Sequence, residues 1–159
     1  MSEGDINSRV KGILSEQLYG VLTTVNDAGE PHCSIVAFVS ADDMGSLVFV
    51  TPQNTRKYRY ALERPRVALF IDDRRDRTDE LMQVTGIEAR GSVELLAPES
   101  CGLYRELYIA KYPAMREFVD APGSAIMRIA AERYDVVDRF QHVIVLRPGE
   151  NRAGEADDE

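Results

Sequence analysis

The strongest constraint on the fold is a succession of strand-forming segments that are joined mostly by short turns. Short turns connect antiparallel strands, whereas parallel strands need a long crossover connection. The sequence also lacks both a GxGxxG motif and a P-loop, so a doubly wound nucleotide-binding sheet is not favoured. We predict a mainly β fold, an antiparallel barrel of roughly six or seven strands with peripheral helices. The predicted strands cover residues 21–25, 31–40, 47–51, 67–71, 82–96, 126–134 and 140–146.

Four helices are predicted around these strands. Apolar residues at helical spacing indicate a helix over residues 6–18 that ends at Gly20 and another over 98–111, with shorter helical segments at 55–63 and 114–119. Glycines inside a strand indicate a bulge or a close approach of another group, and Gly86 and Gly91 lie within the strand at 82–96.

The length of 159 residues is that of a single domain, which we place at residues 1–148. Residues 149–159 have no periodicity and end in an acidic run, so we predict a disordered tail there.

Charge and composition exclude several classes of function. The formal net charge of −8 argues against a nucleic-acid-binding protein, since such proteins need a basic face. No apolar run approaches the roughly 20 residues of a membrane-spanning helix, and no signal peptide is recognisable. We therefore expect a cytoplasmic protein in which Cys33 and Cys101 are buried, structural thiols.

The residue sets of common hydrolases and metal sites are missing from the sequence. The two histidines, His32 and His142, lie in no nucleophile motif such as GxSxG, and they have no partner at metal-ligand spacing. Paired aspartates occur at residues 42–43 and 72–73, within predicted turns, where solvated side chains are usual. The sequence thus predicts no metal site, and the catalytic residues stay unassigned.

One feature of the sequence does indicate a binding site: the start of the helix that follows the third strand. Thr55, or Asn54 before it, is a suitable N-cap, and Arg56 and Lys57 follow in the first turn. Cations are unfavourable there, because the helix dipole already places positive charge at that end. Two cations and uncapped N–H groups at one helix start predict that an anion, most naturally a phosphate, binds among them.

The surrounding sequence resembles a known family. The stretch VFVTPQNTRKYRYALERPRVALF at residues 48–70 is similar to the strand–loop–helix–strand signature of the pyridoxamine 5′-phosphate oxidase-like, FMN-binding split-barrel proteins. The upstream hairpin, with GVLTTV at 20–25 and PHCS at 31–34, and the segment at 87–96 also fit that family.

This resemblance implies a homodimer of split β-barrels with FMN in a cleft between the subunits. Arg56 and Lys57 would then bind the FMN phosphate beside Thr55, and Val50 and Thr51 would line the flavin from the strand end. The resemblance further implies that a four-residue segment of the preceding strand passes the flavin ring and ribityl chain: Ser34, Ile35, Val36 and Ala37.

The sequence departs from the pyridoxamine-phosphate oxidases themselves. Ser34 replaces an arginine of those enzymes, and the glutamine that they carry near the position of Gly86 is absent, although Gln83 is close. Arg139 and His142 are three residues apart where those enzymes have an Arg-x-His pair, and their substrate-phosphate set is not found. Oxidation of pyridoxamine 5′-phosphate is therefore not expected.

Four functions stay open at this point. The first is an FMN-dependent oxidoreductase that acts on a small molecule. The second is a non-enzymatic flavin-binding or electron-transfer protein, and the third is a split barrel that binds haem or a deazaflavin instead. The fourth is a barrel that serves only as a dimeric interaction module. The sequence assigns no role to His142, Gln83 or the charged loop at 72–80.

Overall fold

A computed structural model of the chain describes residues 2–139, 142–150 and 154–155. Its helices are α1 (Glu3–Glu16), α2 (Arg56–Glu63), α3 (Pro98–Lys111) and α4 (Arg116–Asp120), and 3₁₀ turns lie at Thr78–Gln83 and Pro113–Met115. Its strands are β1 (Tyr19–Val25), β2 (Pro31–Ser40), β3 (Ser46–Pro52), β4 (Arg66–Asp72), β5 (Thr85–Leu95), β6 (Ser124–Asp138), β7 (His142–Leu146) and β8 (Gly154–Glu155).

Within the described residues, six strands close into an antiparallel barrel. Their order is β3-β2-β1-β4-β5-β6, and pairing of β3 with β6 closes the ring. Strands β7 and β8 continue the sheet beyond β6, outside the closed ring. The predicted mainly β, antiparallel barrel with peripheral helices is confirmed.

The barrel is split where β2 and β3 separate. The two strands pair only from Phe38 opposite Phe49 to Ser40 opposite Leu47. Residues 31–37 of β2 pair with β1 alone, and residues 50–52 of β3 pair with β6 alone. The two strand segments therefore diverge at one end of the barrel, immediately before α2 begins.

Two apolar clusters stabilise this arrangement. The larger fills the barrel interior and includes Leu22, Phe49, Leu69, Ile87 and Met127, which are all fully buried. A smaller cluster lies outside the barrel, where α3 and α4 cover the outer face of β2 and β3. One face of β3 thus points into the barrel and the other points to the helices, which explains why nearly the whole strand is buried.

Several predicted boundaries are wrong. Helix α1 ends at Glu16, and Gly20 lies within β1, where a Cβ atom would come 2.9 Å from Leu69 Cδ1. Gly20 therefore permits close packing and does not end a helix. The strand predicted at 82–96 begins only at Thr85, because a 3₁₀ turn occupies Thr78–Gln83.

Strand β6 is longer than predicted, and it continues past Tyr134 through Val137 and Asp138. Cys33 is exposed and Cys101 is partly exposed, so the prediction that both thiols are buried is also wrong. Cys33 lies on the outer face of β2, with Sγ 3.4 Å from Thr23 Oγ1.

None of the helices within the described residues is both long and apolar enough to cross a membrane. Most of the predicted disordered tail at 149–159 lies outside the described residues, and its disorder stays a prediction.

Candidate functional site

The junction between β3 and α2 is held by two threonine hydroxyls. Thr55 is the N-cap of α2, and its side chain accepts a hydrogen bond from Tyr58 N at 3.3 Å. Thr55 Oγ1 lies 2.9 Å from Thr51 Oγ1, and both hydroxyls lie within 3.1 Å of the carbonyl oxygen of Pro52. Because Thr51 is fully buried, this contact fixes the start of the helix against the strand end.

Two uncompensated cations occupy the first turn of this helix. Arg56 is exposed and Lys57 is partly exposed, and the first turn of α2 contains no acidic residue. Neither side chain makes a hydrogen bond or an ion pair with any residue that the structure describes. The N-terminus of a helix carries partial positive charge, so this arrangement can hold an anion with both dipole and side-chain charge.

The four candidate residues of β2 divide between the two faces of the strand. Val36 points into the barrel core, and Ser34 shares its face by strand alternation. Ala37 packs on the opposite face beneath α3, and Ile35, on that same face, is 70% exposed. The segment therefore offers one side chain to the outside, two to the inside and one to the helix layer.

Ser34 has an unusual environment. Its Oγ atom is buried, and it has no hydrogen-bond partner among the described residues. A buried hydroxyl without a partner costs free energy, of the order of 1–3 kcal/mol. A ligand that accepts or donates a hydrogen bond at this position would remove that cost.

Val50 is buried in the outer cluster beneath the helices, and its backbone pairs with Ile126 of β6. Thr51 follows it and pairs with Ala125. Both residues lie where β3 has already separated from β2. The structure thus brings the predicted residues of β2, β3 and α2 to the split end of the barrel.

The sequence gives no indication of an aromatic contact that joins β2 to α2. The rings of His32 and Tyr60 lie edge to face, with centroids 5.8 Å apart and planes at 85°. The Arg59 guanidinium lies 5.2 Å from the centroid of the same tyrosine ring. Tyr60 lies four residues after Arg56, so the sequence indicates that Arg56 and Tyr60 share one face of α2. It does not indicate that His32 of β2 meets that face.

The residues to which the sequence assigns no role lie in other elements of the fold. Gln83 ends the 3₁₀ turn and lines a separate surface pocket with Glu16 and Asp73. His142 Nδ1 lies 3.4 Å from a carboxylate oxygen of Asp138, at the start of β7. Phe70 and residues of the charged loop at 72–80 line a surface pocket of about 640 Å³.

No three His, Cys, Asp or Glu side chains are grouped to hold a metal ion in the part of the chain that the structure describes.

Comparison with protein families gave a match over most of the chain. The family model described as pyridoxamine 5′-phosphate oxidase matches residues 6–138. The match includes every candidate residue of β2, β3 and α2. A comparison with curated protein sequences gave no match.

Three solved structures with this fold illustrate its range. A heme binding protein from Mycobacterium smegmatis has a TM-score of 0.79 and 15% identity, over 93% of this chain and 59% of that one. The chain therefore spans little more than half the length of that protein. An F420 reductase has a TM-score of 0.60 and 25% identity, over 78% and 94% of the two chains. A FAD-binding protein from Mesorhizobium loti has a TM-score of 0.66 and 17% identity, over 81% and 90%.

Proposed function

Because the chain belongs to the pyridoxamine 5′-phosphate oxidase family, we propose that it is an FMN-binding flavoprotein that acts as an oxidoreductase on a small molecule. The observation that carries this proposal is the start of α2. Arg56 and Lys57 extend from its first turn, they have no acidic partner among the described residues, and Thr55 caps the same turn. An FMN phosphate fits this combination of positive side chains and free N–H groups.

The other candidate residues lie near this phosphate position, and the side chains of Val36, Val50 and Thr51 are buried. Val50 and Thr51 lie at the strand end beside this phosphate position, on the far side of the split from residues 34–37. The unpartnered Ser34 hydroxyl supports a polar contact with the cofactor at the position where the oxidases of this family carry an arginine. When it is bound, a flavin supplies hydride and electron transfer, while the protein supplies position and electrostatics.

The similar structures are named for haem, F420 and FAD, and the absorbance of the purified protein distinguishes a flavin from haem. Two unpaired cations at a helix start favour a cofactor with a phosphate group. A purified protein with flavin absorbance bands would support the proposal, and a Soret band would replace flavin by haem. Reduction of bound flavin by NADH or NADPH would favour an enzyme over a passive flavin carrier.

We also propose that the protein forms a homodimer. On the outer face of β1, β2 and β4, Val21 pairs with both Ile35 and Phe70, which are 70% and 42% exposed. These three apolar side chains form a continuous row across neighbouring strands. A two-fold dimer would bury the row against its own copy, which removes apolar surface from water.

FMN titration of the purified protein tests the cofactor proposal. We expect FMN fluorescence to be quenched on binding, and the double variant Arg56→Ala, Lys57→Ala to bind FMN at least about 100-fold more weakly, since charged hydrogen bonds contribute roughly 1.5–3 kcal/mol each. The melting temperature without cofactor should hardly change, because both side chains reach solvent.

Arg64→Ala is the matched control for this measurement. It removes a cation from the other end of α2, where Arg64 Nε lies 3.8 Å from Asp27 Oδ1. We expect its FMN affinity to equal that of the wild type. If the double variant binds FMN as tightly as the wild type, the phosphate does not bind at α2.

A further inference from the structure

The charged loop between β4 and β5 borders a surface pocket that the flavin proposal does not use. This pocket has a volume of about 640 Å³. Small-molecule sites in proteins are typically clefts of roughly 300–1,000 Å³ with a mainly apolar lining. None of the described residues that line the pocket belongs to the proposed flavin site. The pocket is therefore a separate candidate for a ligand.

Three neighbouring strands form the apolar side of this pocket. Gly86 of β5 pairs with Val137 of β6, and the ring of Phe70 in β4 lies against Gly86. A Cβ atom on Gly86 would come 2.9 Å from Phe70 Cζ, so the missing side chain lets the ring lie close to the sheet. Leu81, which is 55% exposed, and Val84 complete the apolar lining from the loop side. The accessible surface of the pocket is mostly apolar as a result.

The loop that borders the pocket is held by its own hydrogen bonds. At its base, Asp73 N donates to Thr85 O at 3.3 Å, and Thr85 N donates to Asp73 Oδ1 at 2.7 Å. Thr85 is fully buried, and its hydroxyl accepts a hydrogen bond from the Arg9 guanidinium of α1. Further along the loop, the Arg77 guanidinium lies 2.8 Å from Asp79 Oδ2. The pocket is therefore preformed, and a ligand would not have to order the loop on binding.

The charges of the loop largely cancel, which bears on the kind of ligand. Arg74 and Arg77 line the pocket, and both are engaged in ion pairs, the former with Asp72 at 3.1 Å. Arg75, the third arginine of the lining, is followed directly by an aspartate that also lines the pocket. Residues 72–80 together carry five acidic and three basic side chains, so an anion gains no net attraction there. An arginine whose N–H groups are engaged still presents a planar face, on which an aromatic ring can stack.

We propose that this pocket binds a small, uncharged aromatic molecule. The apolar side formed by Phe70, Val137 and Leu81 removes the ring of such a ligand from water, and the arginines of the loop stack on its face. FMN carries a charged phosphate, which the excess of acidic side chains in the loop disfavours, so the occupant differs from the proposed cofactor. This inference goes beyond the flavin proposal and does not depend on it.

The pocket lies at one end of the apolar row that we propose as the dimer surface. Phe70 belongs to both, whereas Gly86 and Val137 lie beyond β4, on the side away from Val21 and Ile35. Burial of the row by itself therefore does not cover the rest of the lining. A variant in the loop tests the pocket without altering the row.

Binding of naphthalenemethanol, an uncharged two-ring probe, tests this inference. The chain contains no tryptophan, so the fluorescence of the naphthalene ring can be followed directly. We expect Leu81→Glu to weaken binding of the probe about tenfold, since it replaces an apolar contact by a charge. Naphthoate, which carries a negative charge on the same ring system, should bind the wild type about fivefold more weakly than the alcohol.

Met82→Glu is the matched control, because Met82 is 59% exposed in the same 3₁₀ turn and is not among the described residues that line the pocket. This variant and the double variant Arg56→Ala, Lys57→Ala should bind the probe within about twofold of the wild type. Circular dichroism should show that each variant is folded.

Several outcomes would overturn the pocket site. They are a wild type that does not bind the probe, a loss in Leu81→Glu no larger than in Met82→Glu, and tighter binding of naphthoate than of the alcohol. A loss of probe binding in the double variant would place the probe at α2 and overturn the site as well. All of these outcomes leave the flavin proposal intact, because FMN binding is measured separately.

Discussion

Gly91 is a position at which the barrel has no room for a side chain. Where β5 pairs with β6, the register shifts between Arg90 and Gly91, so that Glu132 has no partner across the strands. A Cβ atom on Gly91 would lie 2.0 Å from the carbonyl oxygen of Ala130. The bulge therefore depends on the missing side chain, as the glycine inside the predicted strand indicated.

The substitution Gly91→Ala should destabilise the protein by roughly 3 kcal/mol, because the added methyl group collides with backbone that cannot move independently. Urea unfolding followed by circular dichroism measures this change. Gly102→Ala in α3 is the matched control, since nothing lies within 4 Å of the Cβ that it adds. We expect it to stabilise the helix by about 0.5–1 kcal/mol. A neutral Gly91→Ala would show that the bulge can relax.

At the level of elements, α3 supplies a hydrogen-bond donor to the carbonyl oxygens at the carboxyl end of α1. Helix α1 has no basic residue in its last turn. Lys111, the last residue of α3, donates from Nζ to the carbonyl oxygens of Leu14 at 3.1 Å and Gln17 at 2.6 Å. The same Nζ lies 4.4 Å from the ring centroid of Phe38. One side chain thus supplies the charge that favours a helix C-terminus and joins both helices to β2.

Lys111→Met should destabilise the protein by about 2 kcal/mol, since two backbone carbonyls lose their hydrogen-bond donor. Burial lowers the pKa of Lys111 from 10.5 to about 8. Between those pH values the unfolded chain binds more protons at this residue than the folded chain, so its contribution to stability rises with pH.

The loss in the variant should accordingly be larger at about pH 9.5 than at about pH 7, as measured by urea unfolding. Lys11→Met, which removes an exposed cation from α1, should show no such trend. A loss that shrinks as the pH rises would contradict the pKa direction.

Within the described residues, the outer face of β1, β2 and β4 carries an apolar row that no helix covers. Helices α3 and α4 pack over β2 and β3, while the row of Val21, Ile35 and Phe70 stays open. Glu88, which lies opposite Phe70, is paired with Arg90, and Arg90 also pairs with the buried Asp135. An apolar row with a polar border of satisfied charges is typical of a protein interface.

Phe70→Lys should convert the proposed dimer into a monomer, because each subunit would place a new charge in the buried row. Analytical ultracentrifugation at several protein concentrations measures the change. Leu103→Lys on α3 is the control, because Leu103 is 71% exposed and lies outside the row. We expect it to leave the mass unchanged. A wild type that sediments as a monomer at high concentration would refute the dimer proposal.

Local sequence patterns determined much of this fold. Alternation and turn residues identified the strands that form the barrel, and the N-cap at Thr55 with the cations after it located the start of α2. These features depend on neighbours within a few residues, so the chain alone reveals them. Predictions that depended on a single glycine were less secure: Gly20 serves packing against Leu69 instead of ending a helix.

Tertiary structure alone decided how the site is assembled. Barrel closure pairs β3 with β6, far apart in sequence, and it decides that Val36 points inward while Ile35 and Cys33 point outward. The burial of the unpartnered Ser34 hydroxyl and the contact of His32 with Tyr60 depend on the same closure. The physical reason is that local alternation fixes only that neighbouring side chains oppose each other. Which side becomes the interior is set by long-range pairing and packing.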